Sequence, residues 1–315
     1  MRLLTFCHHN NNAPLLGLRA GRRILELGAA ARIAGLPALP ARMKDLLAAG
    51  REGLARVAQL AAAAAAEEAR FAAAWVDESA IRYLPPVPDA DKFLCVGKNY
   101  RQHLEELKRT SLIKEIPEEP TAFIKLNSCL VGHDAQVVIP DGIVSLDYEP
   151  ELVFVIGKRA LGVKKQDAFD YVAGVTVLND LTCRDLQQRE VASGSRFWTA
   201  KNIPGFGPLG PELATLDEIP DPYDLWMTCS VNGEERMRVN TREQIWKLPD
   251  IVEHFSRYIP IEPGDMFSTG APGGVAVGKP NAAALFLKPG DVVECGIEGV
   301  MTLRTGIVGP TGATK

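Results

Sequence analysis

The sequence predicts an α+β protein in two parts: a small α+β N-terminal domain over residues 1–88 and a larger domain over 89–315. Three observations carry this. At 315 residues the chain is long for one hydrophobic core. Pro85-Pro-Val-Pro88 places three prolines in four residues, which excludes helix and interior strand and marks a linker. On either side of it, short apolar strand-like runs occur together with segments of helical composition, most of the runs beyond it reading as strands.

Composition narrows the functional classes. The chain is 46% hydrophobic and 23% charged with a net charge of -4, as in a globular protein rather than a nucleic-acid binder, which carries a basic surface. No apolar run is long enough to cross a bilayer, and the N-terminus lacks the apolar core and cleavage site of a signal peptide. The six cysteines, at positions 7, 95, 129, 183, 229 and 295, form no CxxC pair. Reduced thiols in a cytoplasmic protein are therefore expected, with neither membrane nor nucleic acid as a partner.

In chain order, Leu3–Phe6, Leu15–Leu18 and Arg23–Leu27 are expected strands, with His8, His9 and Asn10–Asn12 in an exposed turn between the first two. The alanine-rich run from Glu52 to Trp75, with six alanines at 61–66, is an expected helix. Beyond the linker, Lys92–Gly97 reads as a buried strand and residues 98–107 as a helix. Residues 108–120 form a polar loop that could order over a ligand. Thr121–Leu126, Gln136–Ile139 and Tyr171–Leu178 are further strands. The Gly- and Pro-rich stretch at 204–211 is expected to be irregular. Asn232-Gly233 between two apolar runs predicts a hairpin. Residues 249–258 read as a helix, and Pro-Gly-Asp turns at 263–265 and 289–291 each launch a strand.

The chemistry concentrates around Ser145-Leu-Asp-Tyr-Glu-Pro-Glu-Leu-Val-Phe-Val-Ile-Gly157. Side chains two apart on a strand share a face, so Glu149 and Glu151 stand together at the mouth of a run apolar on both faces. Two such carboxylates resist ionisation unless a positive charge lies between them, and a hard divalent cation suits oxygen ligands. A solvated strand end is the competing reading. Asp180 ends the next apolar strand, where a third oxygen ligand could join them. On the helix at 98–107, His103 and Glu106 are three apart and share a face, the arrangement of a base with its orienting carboxylate; a surface contact is the alternative. Arg184 and Gln187 repeat that spacing, and Lys201 is a cation suited to an anionic ligand. Ser268-Thr-Gly-Ala-Pro-Gly-Gly-Val275 could present backbone amides to an anion or be a tight structural turn.

Together these pieces resemble the fumarylacetoacetate hydrolase family. The matching stretches are Gly97-Lys-Asn-Tyr-Arg-Gln-His103, Asp147-Tyr-Glu-Pro-Glu-Leu, Asn179-Asp-Leu-Thr-Cys-Arg-Asp-Leu-Gln187, Trp198-Thr-Ala-Lys201 and Thr269-Gly-Ala-Pro-Gly-Gly-Val275, in family order over residues 92–308. The resemblance implies a mixed β-roll catalytic domain at 89–315, a homodimer, and one Mg²⁺ or Mn²⁺ per subunit held by Glu149, Glu151 and Asp180. It implies catalytic roles for His103, Glu106 and Lys201, and substrate-binding roles for Arg184, Gln187, Thr269, Gly270 and Tyr100. The expected partner is a small oxo-acid, in a setting such as aromatic catabolism. One departure stands out: many members carry a Lys-Ser/Gly-Phe-Asp-type sequence where Asn202-Ile-Pro204 follows Lys201 here.

The activity so implied is metal-dependent hydrolysis of a carbon–carbon bond in a 2,4-dioxo acid of the acylpyruvate or fumarylpyruvate type. In it the ion polarises the 2-oxo group and His103, oriented by Glu106, activates water. The same site would serve an oxaloacetate decarboxylase or a 2-oxo-dioate keto–enol isomerase. A non-catalytic small-molecule-binding protein of the same fold is the reading from another class.

Overall fold

The structure is a computed structural model that describes residues 1–109, 117–194 and 198–310. Residues 110–116 of the expected ligand-covering loop, and 195–197 ahead of Lys201, lie outside the described residues.

The fold is α+β, built on two large sheets, with a two-stranded ribbon of Leu146–Asp147 and Thr182–Cys183 beside them. Among the described residues the larger has twelve strands. Its path runs Trp75–Asp77, Arg23–Glu26, Leu15–Ala20, Arg2–His8, Gly207–Thr215, Val172–Asn179, Pro150–Ile156, Met266–Ser268, Phe93–Gly97 and Thr121–Ile124; off this path, Ile81–Tyr83 pairs with Arg2–His8 and Leu130–Val131 with Gly207–Thr215. The second sheet orders Glu234–Asn240, Trp226–Val231, Val292–Ile297, Met301–Val308 and Gln136–Val138. Most pairs are antiparallel, but Met266–Ser268 with Phe93–Gly97, Met301–Val308 with Gln136–Val138, and Gly207–Thr215 with Leu130–Val131 are parallel. Leu152, Phe154, Val175 and Val177 of the first sheet share a core with Met227, Cys229, Val293 and Leu303 of the second, giving the mixed roll.

Strand Pro150–Ile156 is buried along its whole length, as its uninterrupted apolar run demands. Leu152, Phe154 and Ile156 face the core between the sheets. Val153 and Val155 face the opposite way, into a second core with Leu3, Leu25, Leu46, Val57, Leu60 and Met266. The N-terminal strands and helices thus cover the outer face of the strand that begins at the acids. Among the described residues, no helix is long and apolar enough to cross a membrane.

Several expectations need correction. The stretch at 204–211 is irregular only to residue 206: Gly207–Thr215 is a strand between Arg2–His8 and Val172–Asn179. Pro211 is tolerated because the register with the neighbouring strand shifts between Val175 and Val177, the kind of bulge at which a missing N–H breaks no ladder. Close packing there needs Gly174, because a Cβ would lie 2.1 Å from the Ala214 carbonyl oxygen. The alanine-rich helix spans Gly50–Ala66 rather than reaching Trp75, which pairs with Leu25 in the sheet. The strand expected to end at Leu27 ends at Glu26, and Leu27–Ala34 is a helix closed by Gly35 in the left-handed conformation. The Asn232-Gly233 hairpin forms as expected, both residues having positive φ.

Candidate metal centre

Strand pairing assembles the acids. Pro150 lies opposite Asn179 and Glu151 opposite Leu178, so the start of one strand meets the end of the other. The Asp180 N–H donates to the Glu149 carbonyl (2.8 Å), and the Glu149 N–H donates to the Asn179 side-chain oxygen (3.0 Å). One carboxylate oxygen from each of Glu149, Glu151 and Asp180 lies within 4.8 Å of the others, and all three residues are buried.

Three buried cations surround them. The Lys201 ammonium donates to both Glu149 and Asp180. Lys125 donates to Asp180 Oδ1 (2.6 Å) and to the carbonyls of Lys201 (2.5 Å) and Phe206 (2.8 Å). The Arg184 fork reaches Asp147 (2.8 Å), Glu149 (2.6 Å) and the Gln187 side-chain oxygen (2.9 Å). Asp147 also accepts the N–H groups of Ala276 (2.9 Å) and Val277 (3.0 Å), so it is spent on structure.

Glu151 differs. It accepts the Gly270 N–H (3.1 Å) while Lys201 and Arg184 grip its neighbours. Burial, then the Asp180 charge, pushes its carboxyl up to about 8. Burial acts the same way on Glu149, but Lys201 and Arg184 outweigh it and hold that carboxyl well below its usual range. Once Glu151 gives up its proton, the four carboxylates Asp147, Glu149, Glu151 and Asp180 face three cations, and the surplus negative charge falls where three hard oxygen donors converge. A divalent ion fits that donor set, and Mg²⁺ and Mn²⁺ both take such ligands.

The remaining candidates lie around this cluster. His103 and Glu106 are buried on helix Arg101–Arg109 while Glu105 is exposed, and His103 Nδ1 stands 3.4 Å from Glu106 Oε2. The other Glu106 oxygen accepts the Gly274 N–H (2.9 Å). A charge on the His103 ring would favour the Glu149 carboxylate, which places the dyad within electrostatic range of the acids. Gly270 has φ +86°, and a Cβ there would lie 2.8 Å from the Val96 carbonyl oxygen, so only glycine aims this N–H at Glu151. Two candidates for substrate contact are turned inward: the Thr269 hydroxyl donates to the Leu152 carbonyl (3.0 Å), and the Tyr100 hydroxyl accepts from Gln244 (3.1 Å).

Three site residues escaped the sequence reading. Lys125 is a single charge ending an apolar run, Ala122-Phe-Ile-Lys125, a position where a charge is buried only when paired. Asp147 extends the alternation of Glu149 and Glu151 by one step and could have been read from it. Asn99 ties the Thr269 carbonyl (2.9 Å) to the Trp246 carbonyl (3.0 Å); it lies in the matched stretch Gly97–His103, which gave it no role of its own.

Comparison with known proteins fits this geometry. The family model for the fumarylacetoacetate (FAA) hydrolase C-terminal domain matches residues 92–308. An oxaloacetate tautomerase of Xenopus laevis, named as mitochondrial, is 35% identical over 98% of this chain and 90% of its own length. A 5-carboxymethyl-2-hydroxymuconate delta-isomerase from Mycobacterium smegmatis superposes with a TM-score of 0.70 at 26% identity, covering 98% of this chain and 100% of that one. A maleylpyruvate hydrolase from Sphingobium sp. SYK-6, in complex with manganese(II) and pyruvate, gives 0.73 at 26% identity over 98% and 99%.

Proposed function

Because the chain belongs to the fumarylacetoacetate hydrolase family, we propose that it is a divalent-metal-dependent enzyme that interconverts the keto and enol forms of oxaloacetate or a close 2-oxo-dicarboxylate. The observation that carries this reading is the buried convergence of Glu149, Glu151 and Asp180 beside the His103–Glu106 pair. Mg²⁺ or Mn²⁺ held by these three carboxylates would supply Lewis acidity to the substrate's 2-oxo oxygen.

The chain's own groups then have separable tasks. Lys201 bridges Glu149 and Asp180, and with those carboxylates engaged as metal ligands its ammonium would be available to a substrate carboxylate. Arg184 stays fixed by Asp147 and keeps Glu149 oriented. Glu106 holds one nitrogen of His103, leaving Nε2 to take the proton from C3; the same proton returns to the 2-oxygen, completing the enol without net charge change. The Gly274 N–H fixes Glu106 from behind.

Hydrolysis of an acylpyruvate is the second reading, favoured by the same dyad, which could activate water instead, and by the likeness to the maleylpyruvate hydrolase. A homodimer is the assembly we propose, on the family resemblance alone. The six buried free cysteines suit a reducing compartment such as the cytoplasm, whereas the Xenopus relative is named as mitochondrial. The deciding experiment offers the Mn²⁺-loaded protein enol-oxaloacetate and, separately, acylpyruvates. Faster decay of enol absorbance without carboxylic-acid product supports the tautomerase. Release of pyruvate from an acylpyruvate, with no effect on oxaloacetate, replaces it with the hydrolase.

A further inference from the structure

We propose that Asn202 is a positioning residue that sets where the Lys201 ammonium can reach, and so sets the anchoring point for the substrate carboxylate in this chain. The inference rests on the role proposed above for Lys201. Lys201 belongs to no helix or strand; it sits in the turn at 198–202. A lysine ammonium on a flexible four-carbon stem is aimed only if its backbone is held.

This turn is held from several sides. Glu190 on helix Arg184–Ala192 accepts the N–H groups of Thr199 (2.6 Å) and Ala200 (3.3 Å). The Cys183 N–H donates to the Ala200 carbonyl (3.0 Å), and Lys125 donates to the Lys201 carbonyl (2.5 Å). Asn202 supplies the remaining side. Its amide nitrogen donates to the carbonyls of Ile124 and Trp198, both at 3.0 Å, and its oxygen accepts the Leu126 N–H (2.7 Å) and the Cys129 thiol (3.6 Å). Every donor and acceptor capacity of that side chain is used.

The other end of this staple is the segment that carries Lys125. Ile124 and Leu126, the two residues Asn202 grips, flank Lys125 directly, and the Phe123 ring lies 5.3 Å from the Lys201 ammonium. Asn202 therefore fixes the backbones of the two lysines that share Asp180 against each other. It makes no hydrogen bond to Glu149, Glu151 or Asp180, so its influence on substrate binding passes through Lys201, with the Lys125 segment as the anchor on the other side. Asn202 also stands where the family resemblance leads one to expect a serine or glycine. The staple is thus this chain's own device for placing the cation that reads the substrate.

The test is a double-mutant cycle on the full-length, Mn²⁺-loaded protein with Asn202→Ala, Lys201→Ala and both. Oxaloacetate tautomerisation is read as kcat and KM, with calorimetric oxalate binding as a readout independent of turnover. Asn202→Ala alone should raise KM and weaken oxalate roughly tenfold, with kcat within about threefold and Mn²⁺ affinity unchanged. In the Lys201→Ala background it should have no further effect. Equal losses in both backgrounds, or loss of Mn²⁺ binding, would overturn the proposal. Should the wild type leave oxaloacetate untouched, the function proposed above fails. The same cycle read on oxalate still decides the staple: coupled losses support it and additive losses reject it.

Discussion

Each acid of the centre has its own partner set, and substitutions should separate them. Asp180→Asn removes the acid that Lys125 and Lys201 share, leaving buried ammonium groups under-compensated. It should abolish Mn²⁺ binding and destabilise the ion-free protein by about 3–5 kcal/mol in urea denaturation. Glu151→Gln removes a carboxyl held by a backbone N–H and should abolish Mn²⁺ binding just as fully. At pH 9, however, it should leave the ion-free protein as stable as wild type or more so, because a buried like charge disappears. The Glu151 proton sets a pH dependence as well. Its carboxyl titrates at about 8 when folded, against an ordinary value of 4.5. Between those values the unfolded chain binds fewer protons, so ion-free stability falls as pH rises through the window. Metal binding runs the other way: affinity climbs by up to about tenfold per pH unit and levels off above about 8, with proton release to buffer vanishing there in calorimetry. His103→Ala should lower kcat about 10²–10⁴-fold while Mn²⁺ affinity survives.

At the scale of elements, the site is a consequence of strand register. Antiparallel pairing of Pro150–Ile156 with Val172–Asn179 is what brings Glu149 and Glu151 to Asp180. That much was legible, because acids two residues apart ran into an apolar strand and a second apolar strand ended in an acid. Strand Gly207–Thr215 was not legible, because its local composition argues for a loop and only the bulge opposite Val175 and Val177 reconciles Pro211 with a central position. Lys125 was hidden for a similar reason: its burial depends on carbonyls about 76 and 81 residues away in sequence. Glycines test these contacts without touching the acids. A Cβ at Gly278 would lie 2.6 Å from the Glu106 carboxyl carbon, the far end of a flexible side chain. Gly278→Ala should therefore fold normally but displace Glu106 from His103, lowering kcat about tenfold or more with Mn²⁺ affinity unchanged in calorimetry.

Across the whole molecule, the N-terminal segment and the site share one sheet and one core. Strand Arg2–His8 pairs with Gly207–Thr215, and Val153, Val155 and Met266, in strands of the catalytic sheet, pack against Leu46, Val57 and Leu60. Removing residues 1–88 would expose that face and a central strand edge, so the 89–315 fragment should aggregate or lose cooperative unfolding, measured by light scattering and thermal melts. The linker prolines mark a boundary in the sequence, yet the contacts that cross it arise only when the sheet is assembled, which is why they could not be read from the linker. The family, the acids and the dyad were legible together because each motif is local; the order of the strands was not. Metal-dependent tautomerisation is tested most directly by titrating Mn²⁺ into chelator-stripped protein while the decay of enol-oxaloacetate is followed. Acceleration should rise linearly and break at one ion per chain. Full acceleration in the stripped protein, or no acceleration after one equivalent has bound, would contradict it.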